Sequence, residues 1–214
     1  MISFDRREAL RYMGYHGAEP DAAVAESLER CAAELQAAVQ PKSISARFPL
    51  SFTGENTMQL GDLTVTSANL ARNLRGCTEV YLMAATLGIG ADRLIARASA
   101  VRMSDAVILQ AVAAAMIETC CDEVNDALRH MAEQEGLYCR PRFSPGYGDF
   151  SIEHQRDFSR LLDTPRKIGL TVTESCLLAP IKSVTAVIGL SPEKQDCHRK
   201  GCEECGKTDC NFRR

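Results

Sequence analysis

Apolar residues recur every three or four positions along two segments of the chain, which predicts two long amphipathic helices. The first segment runs from Pro20 to about Gln40, and the second runs from Ser104 to about Glu135 without glycine or proline. We expect the second helix to form the spine of the domain. Its apolar and small positions are Val107, Ile108, Ala111, Val112, Ala115, Met116, Cys120, Val124, Ala127, Leu128 and Met131.

Shorter patterns predict the other elements. Asp5 can cap a short opening helix that Gly14 ends, and residues 42–66 form short apolar runs broken by Gly54 and Gly61, as in antiparallel strands. Helices together with hairpins predict an α+β fold, in which helices pack on an antiparallel sheet. The remaining predicted elements are a helix from Ser67 to Arg75, a strand from Glu79 to Thr86, a helix after Gly90 toward Val101, a helix from Ser151 to Leu162 and a strand from Lys182 to Leu190.

Length and charge narrow the function classes. The chain has 214 residues, 25% of them charged, and a formal net charge of -3, so no basic field is present for nucleic acid. The amino-terminal segment contains the charged run Asp5, Arg6, Arg7 and Glu8 rather than the apolar core of a signal sequence, and no stretch approaches the roughly 18 apolar residues that span a bilayer. We therefore expect a cytoplasmic protein with no nucleic-acid or membrane partner, made of one domain over residues 1–192 and an appendage over residues 193–214.

The segment from Arg140 to Asp149 combines prolines, glycines, two arginines and a tyrosine in ten residues. Arg142 can grip a carboxylate with its guanidinium fork, Tyr147 can stack on a ring, and backbone groups near Pro145 and Gly146 can bind a base edge. These properties suit a zwitterionic nucleoside ligand. The alternative is a rigid surface turn, with solvated arginines and with the tyrosine packed on the core.

This loop resembles a signature of the activation domain of cobalamin-dependent methionine synthase, Arg-Pro-Ala-Pro-Gly-Tyr, which lies on that domain's S-adenosylmethionine-binding loop. Arg142, Pro145, Gly146 and Tyr147 match the signature, whereas Phe143 and Ser144 depart from it. A second match follows at Leu170–Pro192, which resembles the family's Leu-Thr-Glu-Ser segment and its downstream Pro, Ser-Val and Ser-Pro. The resemblance is clear over residues 104–192 and faint before them.

The resemblance implies a set of ligand-binding residues. Glu118 lies on a stripe of small residues, seven positions after Ala111 and three after Ala115, and aligns with the acidic residue that the family uses for the ligand's amino group. Without the resemblance, Glu118 is equally consistent with an ordinary solvated position on a helix face. The implied S-adenosylmethionine-binding residues are Glu118, Arg142, Ser144, Pro145, Gly146 and Tyr147.

Four of the ten cysteines crowd the end of the chain, where Cys197, Cys202, Cys205 and Cys210 have the spacing C-x4-C-x2-C-x4-C, with His198 beside them. This spacing predicts a metal site, which zinc or an iron-sulfur cluster would satisfy. The alternative is a reduced tail that binds nothing. The tail departs from the family domain, so the resemblance implies no role for it.

The resemblance implies that the protein supplies the methyl donor when oxidised cob(II)alamin on a separate cobalamin-binding methionine synthase subunit is reactivated. Reactivation would also need one electron, which a flavodoxin or ferredoxin would supply. The ligand would be positioned without acid or base catalysis. Two alternatives stay open: reactivation of another corrinoid methyltransferase, and a non-enzymatic metal-binding or redox adaptor.

Overall fold

A computed structural model describes residues 3–15 and 18–194. The predicted metal ligands Cys197, Cys202, Cys205 and Cys210 lie outside the described residues. Within the described part of the chain, seven helices pack around an antiparallel sheet, which confirms the α+β prediction and its long central helix.

The main sheet has six antiparallel strands in the order β3-β2-β1-β4-β8-β5. A separate two-stranded sheet pairs β6 with β7. β4 and β8 occupy the middle of the main sheet, and nearly all their residues are buried because both faces are covered. The strands are β1 Lys42–Phe52, β2 Thr57–Leu60, β3 Leu63–Thr66, β4 Glu79–Thr86, β5 Tyr138–Cys139, β6 Thr171–Val172, β7 Leu178–Ala179 and β8 Ser183–Ser191.

Helices cover the two faces of the sheet and create two hydrophobic cores. Alternate residues of β4 point to opposite sides, so Met83 joins one core and Leu82 joins the other. Four helices pack against the first face: α1 Arg6–Tyr12, α2 Ala22–Ala38, α4 Ile89–Val101 and α5 Met103–Gln134. The second face is covered by α3 Ala68–Asn73, α6 His154–Leu162 and α7 Thr164–Ile168.

α5 has 32 residues and forms the spine of the first layer, as the sequence predicts. By length and composition it could cross a membrane, which corrects the expectation that no stretch of the chain comes close to spanning a bilayer. However, 61% of its most apolar 18-residue window is buried inside the fold. α5 therefore has the character of the core helix of a soluble domain, and its apolar composition reflects packing on α1, α2, α4 and the sheet.

The elements with strong patterns lie where the sequence places them. β4 spans the predicted residues, α2 and α5 agree within two residues at each end, and Asp5 and Ser67 cap α1 and α3 through their side chains. α6 begins at His154 rather than Ser151. Four short elements of two to five residues each were not predicted from the sequence: β5, β6, β7 and α7.

Candidate functional site

The predicted ligand loop begins at an irregular edge of the main sheet. Cys139 pairs with Leu190 and Phe143 pairs with Val187, so four steps along this edge match only three along β8. Pro141 lies between these two pairs. Because proline has no N–H group, it cannot donate a hydrogen bond to β8. The edge therefore contains a one-residue bulge, a device that changes the direction of the side chains next to it.

The bulge sends two nearby arginines to opposite layers. Arg140 is only 4% exposed and lies over Gly189 in the second layer, where its Nη2 donates to the Arg75 carbonyl and the Ser191 hydroxyl, each at 3.3 Å. Arg142 instead reaches the first layer and contacts α5. Arg140 thus holds the edge of the sheet, and Arg142 is available for the site.

Arg142 meets two carboxylates on α5. Its Nη2 lies 2.9 Å from Oδ1 of Asp122 and 3.3 Å from Oε2 of Glu118. The two acids are four residues apart, so they lie one turn apart on the same helix face. The other terminal nitrogen of Arg142, Nη1, is buried and has no hydrogen-bond partner among the described residues. A buried N–H group without a partner is costly, so a small movement of the guanidinium that gives Nη1 an acceptor would be favourable.

Cys121 lies beneath this ion-pair cluster. Burial raises the pKa of its thiol to about 12, against the opposing effect of the positive charge on Arg142. The thiol therefore stays neutral at physiological pH, and it is not an activated nucleophile. The charges of the cluster are those of Arg142, Glu118 and Asp122.

The segment from Ser144 to Tyr147 forms a tight turn beyond Arg142. The Tyr147 amide donates to the Ser144 carbonyl at 3.1 Å, and the Gly146 amide donates to the Phe150 carbonyl at 2.8 Å. These two N–H groups are therefore used within the loop. Pro145 is buried under the turn, whereas the Tyr147 side chain is 68% exposed.

The interpretation of the loop as an ordinary surface turn required solvated arginines and a tyrosine packed on the core. The structure departs from both conditions. Arg142 is ion-paired, with 22% of its side chain exposed, and Tyr147 projects from the surface. The exposed Tyr147 ring offers a stacking surface, and the Arg142 cluster on α5 offers charge complementarity.

Asp149 ties the end of this loop to the start of α3. Its carboxylate accepts hydrogen bonds from the Ser67 hydroxyl, from the Ala68 amide at 2.7 Å and from the Asn69 amide at 3.1 Å. The bond from Ser67 is the main cause that lowers the pKa of Asp149 to about 2, and the two backbone amides act in the same direction. The loop is therefore fixed to a helix N-terminus on the far side of the sheet edge.

Gly148 allows the loop to approach α3 closely. Its φ is +54°, a left-handed conformation that glycine adopts without strain, and a Cβ atom there would lie 2.5 Å from Nδ2 of Asn69. A side chain at this position would therefore add left-handed strain and would displace the Asn69 side chain. The glycine favours the same close approach to α3 that Asp149 makes.

The structure brings Glu118 and Arg142 into contact and places Ser144, Pro145, Gly146 and Tyr147 on the turn that follows. Asp122 was missed in the sequence, where it looks like one more solvated helix residue. Its position four residues after Glu118 was the available signal. Among residues 3–15 and 18–194, no group of three or more histidines, cysteines or acids could hold a metal ion.

The two carboxylates of the cluster are exposed to solvent, and two cavities of the described chain lie elsewhere. One, of about 360 Å³, lies between α2, α4 and α5 and is lined by Arg30, Arg97 and Arg102 among others. The other, of about 570 Å³, lies beside α6 and is lined by Arg156 and Arg160 among others. Neither of these two cavities is lined by Arg142.

Comparison with known proteins gives one informative result. No family model and no curated protein matches the chain. The fold is similar to that of a solved structure, described as the crystal structure of the MetH reactivation domain bound to AdoHcy, with a TM-score of 0.62 and 15% sequence identity. The match covers 88% of this chain and 76% of that chain. At this identity the likeness shows a shared fold, in agreement with the resemblance of the loop and of Leu170–Pro192.

Proposed function

We propose that this protein binds S-adenosylmethionine where the Arg142 loop meets α5, and that it supports reductive methylation of cob(II)alamin on a separate cobalamin-dependent methionine synthase. The observation that carries the proposal is the contact of Arg142 with Glu118 and Asp122, on a loop that also carries the exposed Tyr147. The similar reactivation domain of MetH is bound to AdoHcy, which differs from S-adenosylmethionine only by the sulfonium methyl.

The residues present fit the methionine end of this ligand. Its carboxylate needs a guanidinium with a free N–H group, and Nη1 of Arg142 is buried without a partner. Its ammonium needs a carboxylate, which Glu118 supplies once the ligand enters the ion pair. Arg142 then pairs with the ligand carboxylate instead of Glu118, and Glu118 pairs with the ligand ammonium instead of Arg142. No charge is left without a partner of opposite sign.

In this proposal the turn from Ser144 to Tyr147 binds the nucleoside part of the ligand. The Tyr147 ring can stack on the adenine, while Ser144 and the backbone at Pro145 and Gly146 lie on the same turn. Because the Gly146 and Tyr147 amides are used within the loop, we assign the backbone contribution to carbonyl groups, which suit the adenine amino group.

S-adenosylmethionine supplies a methyl group on a positively charged sulfur, and reactivation of cob(II)alamin also needs one electron. In this proposal a flavodoxin or ferredoxin supplies the electron. The chain's own residues bind and orient the ligand, because methyl transfer from a sulfonium requires no protein acid or base. The surface position of the cluster is consistent with this role, since a large partner has to reach the ligand.

The test is calorimetric titration of the anaerobically prepared full chain with S-adenosylmethionine. We expect micromolar binding that falls at least tenfold in Arg142→Ala and also falls in Arg142→Lys, which keeps the charge but loses the fork. The matched control is Arg129→Ala, because Arg129 is also on the surface and paired with an acid of α5, Asp126. Unchanged affinity in Arg142→Ala, or no binding by the unmodified protein, would refute the proposal.

A second assay tests the reaction. The chain is added to cob(II)alamin-loaded methionine synthase with S-adenosylmethionine and reduced flavodoxin, and recovery of methionine synthesis is followed. We expect recovery with the unmodified chain and with Arg129→Ala, and little recovery with Arg142→Ala. If the chain bound the ligand but gave no recovery, the proposed binding site would stand and methionine synthase would be refuted as the partner.

A further inference from the structure

The cluster at Arg142 contains more negative than positive charge. Arg142 is its one cation, and both of its described ion-pair partners are acids, Glu118 and Asp122. Cys121 beneath them is buried and uncharged. The net charge of the three side chains is therefore -1, and the surplus belongs to Asp122, whose side chain is 69% exposed and which the proposed function leaves without a ligand group.

The two forms of the proposed ligand differ by one charge. Both carry a carboxylate and an ammonium, which cancel, but S-adenosylmethionine has a positive sulfonium and S-adenosylhomocysteine has a neutral thioether. A site with net charge -1 is neutralised by the first and not by the second. Electrostatics alone thus favours the methyl donor over its demethylated product.

We infer that Asp122 is a specificity-determining residue, which makes this site prefer the cationic methyl donor to the neutral product. The inference rests on the proposed function, since it concerns the same ligand. A preference of this kind clears the product from the site after each transfer and limits product inhibition. It needs no contact with the methyl group, because the discriminating quantity is the charge of the sulfur.

The size of the effect follows from the exposure of Asp122. Across a separation on the order of 8 Å, largely through water, two unit charges interact weakly, so removal of one changes an affinity about two- to fivefold. Salt weakens the interaction further, since the Debye length is about 8 Å at 0.15 M ionic strength. The preference should therefore be strongest at low salt.

The experiment measures dissociation constants for S-adenosylmethionine, S-adenosylhomocysteine and sinefungin, which carries a protonated amine at the position of the sulfonium methyl. The variant is Asp122→Asn, which keeps an oxygen acceptor for Arg142 and removes the charge. The control is Asp126→Asn, one turn further along α5, where the acid is 66% exposed and paired with Arg129. The ratio of two dissociation constants cancels any effect common to the ligands.

We expect the unmodified chain to bind S-adenosylmethionine and sinefungin more tightly than S-adenosylhomocysteine. Asp122→Asn should reduce both preferences two- to fivefold at low salt, and Asp126→Asn should not change them. Unchanged ratios in Asp122→Asn, with all three ligands still bound, would overturn the inference and leave the proposed function intact. If the unmodified chain bound none of the three ligands, the proposed function itself would fail.

Discussion

Arg140 and Arg142 lie two residues apart at one edge of the sheet, yet their guanidinium groups reach opposite layers of the fold. In a regular strand, residues i and i+2 point to the same side. The extra residue between the Cys139–Leu190 and Phe143–Val187 pairs breaks this rule. One arginine is consequently part of the interior, and the other is part of the candidate site.

The two arginines should respond differently to truncation. Arg140→Ala is expected to lower the free energy of unfolding by about 1–3 kcal/mol, because the side chain is buried and the buried Ser191 hydroxyl and the Arg75 carbonyl lose their donor. Arg142→Ala should cost less than about 1 kcal/mol, since its ion-pair partners are exposed. Urea unfolding of both variants measures the difference. Equal losses would contradict the assignment of the two side chains to interior and site.

Asp149 should make the stability of the loop anchor depend on acidity. Its pKa is lowered from 3.8 to about 2 in the folded chain, so its contribution is complete above pH 3.8 and is lost as the pH falls toward 2. Asp149→Asn should therefore be less stable than the unmodified chain at pH 5, by about 0.5–2 kcal/mol for a helix cap. Thermal unfolding between pH 5 and pH 2 should show the two curves converging, and a constant gap would argue against the cap.

The cost of a side chain at position 148 should depend on Asn69. Gly148→Ala adds left-handed strain and places a Cβ atom 2.5 Å from the side-chain nitrogen Nδ2 of Asn69. Gly136→Ala adds only the strain, because no other atom lies within 4 Å of its Cβ position. We expect Gly148→Ala to be the more destabilising by about 1–3 kcal/mol. In a double-mutant cycle, Asn69→Ala should recover part of that difference. Additive losses would show that α3 does not limit the space at Gly148.

Cys121 should resist alkylation in the folded chain. Its side chain is buried and burial raises its pKa to about 12, so almost no thiolate exists at pH 8. Iodoacetamide treatment followed by peptide mass spectrometry should leave the Cys121 peptide unmodified until denaturant is added. The same peptide map separates this cysteine from those near the end of the chain. Rapid labelling without denaturant would mean that α5 opens locally under the Arg142 cluster.

Elements that follow local patterns were predictable from the sequence. α5 and β4 are long enough for periodicity to identify them, and their ends fall within a residue or two of the predictions. β5 has two residues and exists only because it pairs with β8, which lies more than 40 residues further along the chain. α7 had a local signal, since Pro165 is in its first turn and Gly169 ends it in a left-handed conformation, but five residues are too few to show a period.

The residues of the candidate site also divide into those found from the sequence and those found only in the structure. Arg142 and Glu118 were found through resemblance, and their contact agrees with a common role. The structure adds Asp122, whose sequence context is that of any exposed helix residue. It also adds Asp149, whose partners at the start of α3 lie about 80 residues earlier in the chain. Both depend on which surfaces meet after folding, and a single sequence carries no record of that.

The central position of β8 has a consequence for how the protein is made. β8 follows every residue of the candidate site in the chain, and it lies between β4 and the edge from which the Arg142 loop departs. As the chain leaves the ribosome, β4 and α5 can pack early, but the edge has no strand to join until residues 183–191 have emerged. A nascent chain that stops before Ser183 therefore contains Arg142 and Tyr147 but lacks the strand that fixes the edge from which their loop departs.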